Sequence, residues 1–250
     1  MKTVCVVLVR MGSSRLPGKA LRDICGRPLL GHLLDRLALC RTLDDVIVAT
    51  STNAENDAIA DYCAGRGTVV FRGSEDDVLG RLLAALQSHG ATTGVLAFGD
   101  QPVLDPAVID QLVSVFRQAG GQYDFVGNDL VTTYPPGMDA EVFSVAALAD
   151  ANTRTTDPAI REHATLYIRK NPDRYRLLNV EAPPALRRPE LEIEVDSPED
   201  LAVAEAIAAH FGARRDFSTG EIIAFLESAP EIAGANAHVE RRWKAYRGEA

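Results

Sequence analysis

Short apolar runs alternate along this chain with stretches whose apolar residues recur at helical spacing. Thr3-Val-Cys-Val-Val-Leu-Val9 is apolar throughout, the pattern of a strand buried on both faces. Leu29, Leu30, Leu33, Leu34 and Leu37 follow at i, i+3, i+4 spacing behind Pro28, which predicts a helix packed on the sheet. Asp45 to Thr50 reads as a second strand, Asn53 to Ala64 as a helix and Thr68 to Phe71 as a third strand. Arg72 to Arg81 then leads into a helix, and Gly94 to Phe98 is a fourth strand. Strand and helix in regular alternation specify an α/β fold with a doubly wound, mostly parallel sheet and right-handed crossovers.

The second half is less regular. Tyr123 to Val126 reads as a strand, Thr133 to Phe143 as turn chemistry before another, and Ser144 to Ala151 as a helix. Tyr175 to Val180 is strand-like, and Leu191-Glu-Ile-Glu-Val195 alternates as a half-buried strand. Asp196-Ser-Pro-Glu-Asp-Leu201 opens a helix with a cap and an early Pro, and terminal helices are expected from Thr219 onward. There are no internal repeats and no low-complexity linker.

With 250 residues, 46% of them hydrophobic, the chain can bury a core as one large domain or a domain with an appendage. A net charge of -9 argues against nucleic-acid or anionic-membrane binding, so locally clustered cations must serve a small anion. Cys5, Cys25, Cys40 and Cys63 are scattered without a C-x-x-C, which points to free thiols in a reducing compartment. No signal-peptide core or membrane-length run interrupts the pattern, and a cytoplasmic location is expected.

Candidate chemistry begins directly after the first strand, at Arg10-Met-Gly-Ser-Ser-Arg-Leu-Pro-Gly-Lys19. Arg10, Arg15 and Lys19 with Gly12, Ser13 and Ser14, at the C-terminal end of a strand, suit a polyphosphate. The spacing is not that of a P-loop NTPase: Gly12 and Gly18 enclose five residues, and Ala20 follows the lysine where a hydroxyl is needed. Asp100, at the end of the fourth strand, is a costly position for a carboxylate unless a cation meets it. A divalent metal would supply one; a helix cap is the alternative, although Asp105-Pro106 already fills that role. Asp196 reads as a metal ligand or as the N-cap of the helix behind it. No His or Cys shows transition-metal spacing. Gly99-Asp100-Gln101 lacks the second acid of the Asp-x-Asp through which GT-A glycosyltransferases hold a metal.

The loop Arg10-x-x-Ser13-x-Arg15-x-Pro17-Gly18-Lys19, with Asp100 in Gly-Asp-Gln-Pro and Asp196 in Val-Asp-Ser-Pro-Glu-Asp-Leu, resembles the cytidylyltransferases that make CMP-activated acids, above all their spore-coat polysaccharide branch. The resemblance spans nearly the whole chain. It implies a three-layer α/β/α, Rossmann-like (GT-A-like) nucleotidyltransferase domain over residues 1–250. An insertion around 133–180 would serve dimerisation and acceptor binding, and helices would fill 199–250. It implies CTP as donor, Mg²⁺ on Asp100 and Asp196, pyrophosphate release and a homodimer. Arg10, Arg15 and Lys19, together with Asp100, would be catalytic. Gly12, Ser13, Ser14, Ser51, Arg72 and Ser74 would complete the nucleotide site, although a helix-entry turn resembling a capping box, Ser74-x-x-Asp77, also explains Arg72 and Ser74. Gly137, Asp139, Glu141, Arg161, Glu162 and His163 match the acceptor motifs. From physics alone, Arg161-Glu162 reads equally well as a surface ion pair and His163 as a core histidine. Arg154, Arg161 and Arg169 add cations that suit an anionic acceptor, either an acidic sugar or a phosphonate. From outside the family, a catalytically inactive nucleotide-binding module remains the alternative if Asp196 is only a cap.

Overall fold

The structure is a computed structural model and describes residues 1–241. Its strands are β1 (Thr3–Leu8), β2 (Asp23–Ile24), β3 (Arg27–Pro28), β4 (Asp45–Ser51), β5 (Val69–Gly73), β6 (Thr93–Phe98), β7 (Phe125–Gly127), β8 (Glu141–Ser144) and β9 (Leu177–Asn179). The helices are α1 (Leu29–Leu37), α2 (Asp57–Gly65), α3 (Val78–Ser88), α4 (Pro106–Gln118), α5 (Val145–Arg154), α6 (Pro158–Arg161), α7 (Leu166–Arg169), α8 (Pro198–Phe211), α9 (Thr219–Ser228) and α10 (Pro230–Ala233).

The main sheet has seven strands in the order β5-β4-β1-β6-β8-β7-β9, and β2 pairs with β3 as a separate hairpin. β1 runs parallel to both neighbours, with Val6 beside Ile47 on β4 and Leu96 on β6. β8 alone is inverted, antiparallel to β6 and to β7, so the sheet is mixed but mostly parallel. Because β1 is apolar from Val4 to Leu8, it buries both faces. Cys5 and Val7 join Leu33 of α1, Ile109 of α4 and Ile207 of α8 in one core, while Val4 and Val6 join Leu82 of α3 and Leu148 of α5 in the other. Each such side chain contributes about 1.5–3 kcal/mol on burial. The outcome is the expected α/β/α layering. No helix among the described residues is long and apolar enough to cross a membrane.

Two local expectations are corrected. Residues 191–195 form no strand, although Ile193 and Val195 are buried and their neighbours are not. Ile193 N and Glu194 N both donate to Pro136 O (2.9 and 3.1 Å), and Val195 N to Asp100 O (2.9 Å). Pro135 and Pro136 have no N–H to return, so no ladder can form. Ser74 and Asp77 do not make a capping box. Asp77 is itself the N-cap of α3, accepting from Gly80 N at 2.9 Å, while Ser74 Oγ accepts from Asp77 N at 3.1 Å. Of the expected terminal helices, α8, α9 and α10 are observed, and residues 242–250 lie outside the described residues.

Candidate active site

Strand order moves from β1 outward through β4 to β5, then returns to β6 on the other side of β1. The crevice beyond the C-terminal ends of β1 and β6 is therefore the switch point at which open α/β sheets bind ligands. The 10–19 loop leaves β1 there and Asp100 leaves β6 there. The loop folds on one carbonyl, with Ser13 N and Gly18 N both donating to Met11 O (2.9 and 3.1 Å). Buried Leu16 pins it to Ile24, Leu29 and Val195. Asn56 ties it to the end of β4, accepting from Met11 N at 2.8 Å and donating to Ser51 Oγ at 2.7 Å.

At the centre Lys19 Nζ donates to Asp100 Oδ2 (2.8 Å), Asp196 Oδ1 (2.7 Å) and Val195 O (3.0 Å). Arg15 Nη2 donates to Asp196 Oδ2 at 2.5 Å. Burial alone would lower the Lys19 pKa, but Asp100 and Asp196 outweigh it and raise it. Burial would likewise raise Asp196, whereas Lys19 and Arg15 hold it below the usual carboxylate range. The cap alternatives for both acids do not hold. Ser197 caps α8 in a reciprocal box with Asp200, and Asp105 caps α4. Glu194 completes a carboxylate group, its ligand atom and those of Asp100 and Asp196 lying within 4.8 Å of one another. Burial, then the charges of Asp100, Asp196 and Asp139, push Glu194 well above the ordinary range, with Lys19 opposing.

These residues fit a hard divalent cation. Asp100 Oδ1 is buried without a hydrogen-bond partner, which is costly for a carboxylate oxygen and is what an ion would satisfy. The donors are all oxygens, the set that magnesium and manganese prefer.

A cavity of about 450 Å³ extends from this centre. Of the residues singled out in the sequence, Arg10, Gly12, Ser13, Ser14, Arg15, Lys19, Asp100, Glu141, Glu162, His163, Arg169 and Asp196 line it. Ser51, Arg72, Ser74, Gly137, Asp139, Arg154 and Arg161 stand behind or outside the wall. Arg72 clamps the turn after β4, donating to Ser51 O (2.9 Å) and Asn53 O (3.0 Å) and pairing with Asp57 at 2.7 Å. Gly137 has φ +104°, and a Cβ there would meet Glu194 N at 2.7 Å, so its glycine lets the 193–195 backbone pass.

The three arginines expected to meet an anionic acceptor already hold carboxylates. Arg154 pairs with Asp150 one turn back on α5 (2.6 Å). Arg161 pairs with Asp77 (2.7 Å) and not with the adjacent Glu162, which instead lies 3.6 Å from Arg10. Arg169 bridges Asp129 (2.6 Å) and Glu141 (2.9 Å), and Thr165 Oγ1 donates to Glu141 Oε2 at 2.6 Å. Burial, then the charge of Asp129, raises Glu141 to about 7, against the pull of Arg169. Half-burial, partly offset by Glu162, lowers His163.

Sequence reasoning missed Glu194, Asp129, Thr165, Glu75 and Arg81. Glu75 is held below its usual range by hydrogen bonds from Ser51 and Arg10, in spite of its burial, and joins the two loops at the crevice. Glu194 carried one signal, an acid two residues before Asp196 in the alternating 191–195 segment; the others carried none without the fold.

Comparison with known proteins agrees with this geometry. The sequence pattern of the family described as Cytidylyltransferase matches residues 4–223. The spore coat polysaccharide biosynthesis protein SpsF of Bacillus subtilis is 32% identical over 233 residues, 91% of this chain and 95% of that protein. A cytidylyltransferase structure from Leptospira borgpetersenii superposes with a TM-score of 0.89 at 27% identity, covering 93% of this chain and 97% of that one. CMP:2-keto-3-deoxy-manno-octonic acid synthetase, solved with CTP, shares the fold at a TM-score of 0.61 and 19% identity, over 84% and 99% of the two chains. The chain belongs to the cytidylyltransferase family and is a CTP-dependent nucleotidyltransferase.

Proposed function

We propose that the protein transfers CMP from CTP to an acidic sugar, releasing pyrophosphate, with Mg²⁺ at the carboxylate centre. The observation that carries this reading is the meeting of Arg15 and Lys19 with Asp100, Asp196 and Glu194 at one crevice. An acceptor oxygen attacks the α-phosphorus in line as the bond to the β-phosphate breaks, a reaction catalysed by positioning and charge stabilisation. Arg10, Arg15 and Lys19 bind the β- and γ-phosphates and the departing pyrophosphate, and the backbone of Gly12, Ser13 and Ser14 lies against them. Asp100 and Asp196, with Glu194, would hold the Mg²⁺, which when bound neutralises charge on the α-phosphate. Ser51, Arg72, Ser74 and Glu75 support the wall on the nucleoside side from behind. Glu141, Glu162, His163 and Arg169 face the acceptor, with Gly137, Asp139 and Arg161 supporting them from behind.

A sugar acid is favoured over a phosphonate because Arg154, Arg161 and Arg169 are all paired with carboxylates, which leaves little excess cation for a dianion. The involvement of SpsF in spore coat polysaccharide biosynthesis, by its name, agrees with this choice. The same reading includes a cytoplasmic homodimer formed through residues 133–179, within a single nucleotidyltransferase domain. The test is pyrophosphate release with CTP, UTP, GTP or ATP against a panel of sugar acids and phosphonates. Turnover is expected with CTP and a sugar acid, and a loss of about 10³-fold or more in D100N, the scale of removing a group that stabilises developing charge. Turnover with phosphonates alone, or unchanged activity in D100N, would overturn it. Light scattering of the purified chain tests the dimer.

A further inference from the structure

Two of the three loop cations assigned to the triphosphate, Arg15 and Lys19, are bonded to the carboxylates assigned to the metal. An ammonium has three N–H donors, and all three of Lys19 are taken, by Asp100 Oδ2, Asp196 Oδ1 and Val195 O. Arg15 engages the other Asp196 oxygen and, through Nη1, the Glu240 carbonyl at 2.8 Å. A divalent cation cannot reach these aspartates without meeting that charge: Asp100 Oδ2 and both Asp196 oxygens already hold a loop cation, and of the four oxygens Asp100 Oδ1 alone is open. Nor can Lys19 offer a phosphate any N–H while these bonds stand. Each ligand's seat is therefore obstructed by the groups that recognise the other.

We propose that metal and triphosphate enter by ion exchange. The phosphates draw Arg15 and Lys19 off the acids, the metal takes the acids, and each ligand binds weakly until the other is present. This rests on the function proposed above. It makes the protein itself a source of positive coupling between divalent cation and nucleotide, beyond their association in solution, and that coupling must be reciprocal.

The experiment measures binding, not turnover. Mn²⁺ is titrated by electron paramagnetic resonance without nucleotide, and CTP by calorimetry in the presence of a chelator. K19M is expected to bind Mn²⁺ alone at least tenfold more tightly than wild type. D196N is expected to bind metal-free CTP at least tenfold more tightly, although it removes a residue of the metal centre. R10M is the control for a general field effect: Arg10 pairs with Glu75 and Glu162 rather than with the central acids, and its Mn²⁺ affinity should move less than threefold. Unchanged or weaker affinities in K19M and D196N, or an R10M shift as large as that of K19M, overturn the proposal. Should either variant fail to fold by circular dichroism, wild type decides: Mn²⁺ binding as tight alone as with α,β-methylene-CTP rules the exchange out. A chain that binds CTP with Mg²⁺ but shows no coupling loses only this inference, whereas one that binds no CTP at all loses both.

Discussion

Glu141 is fully buried beside Asp129, and the Arg169 guanidinium bridges the two carboxylates. Its pKa of about 7 follows from burial first and from Asp129 second. A carboxyl whose folded pKa is raised favours the fold while protonated. Its contribution is complete below the unfolded pKa near 4.5 and is lost as pH climbs through about 7. E141Q keeps the Thr165 hydrogen bond and removes the charge. Relative to wild type it should therefore gain stability between pH 5 and pH 7.5, by at most on the order of 3 kcal/mol. Urea midpoints of both proteins at the two pH values check this; parallel changes with pH would show that Glu141 is ionised throughout. At this scale the sequence was legible where chemistry is local. Arg10, Arg15, Lys19 and Asp100 stand out because a cationic glycine-rich loop and an acid after an apolar strand have few uses in a core, whereas Asp196 reads equally well as a cap until the family resemblance is added. Asp129 and Glu194 do not stand out, because what makes them unusual is the neighbour that folding brings.

Elements with caps and a full helical face could be read directly, as in α4 behind Asp105-Pro106 and α8 behind Ser197-Pro198. The hairpin of β2 and β3 and the single turns α6 and α7 are too short to show a period. Residues 191–195 show the limit differently: their alternation reports burial correctly, but a strand also needs a partner with free N–H groups, and Pro135-Pro136 has none. The start of α8 matters most to the site, because it fixes the direction of Asp196. Asp200 is buried and accepts from Asp196 N (3.0 Å), Ser197 N (2.9 Å), Asn236 Nδ2 (2.7 Å) and Arg241 Nη1 (2.9 Å). S197A removes one cap bond and should cost about 1 kcal/mol. D200A leaves Arg241 with Glu192 at 3.6 Å as its carboxylate partner and takes the acceptor from Asp196 N, Ser197 N and Asn236, and should cost about 3–5 kcal/mol. It should also open the segment around 236–241 to proteolysis, read by mass spectrometry of the early fragments. Equal losses in the two variants would mean that Asp200 serves only as a cap.

Across the whole molecule, the site exists because strand order reverses at β1, so that a loop from one end of the sequence and acids about 80 and 180 residues further on converge without any linker between them. The alternation of strands and helices predicted that crevice, but not how tightly its sides meet. β1 and β6 leave the sheet pressed together at Gly99, whose N–H donates to Leu8 O at 3.0 Å. A Cβ on Gly99 would lie 2.6 Å from both Val9 Cβ and Cγ2 and 3.0 Å from Leu8 O. Val9 is buried and its branched side chain has little rotamer freedom, so the strain must be relieved by moving the strand ends apart. Asp100 is the next residue and Lys19 sits across the gap at 2.8 Å, so the displacement falls on the carboxylate centre. G99A should therefore cost only about 1–3 kcal/mol of stability, as overpacking does, yet lower CTP turnover about 100-fold, the scale of a misplacement near 1 Å. Turnover within threefold of wild type in a folded G99A protein would show that the two strand ends tolerate separation and that the tight junction is only packing.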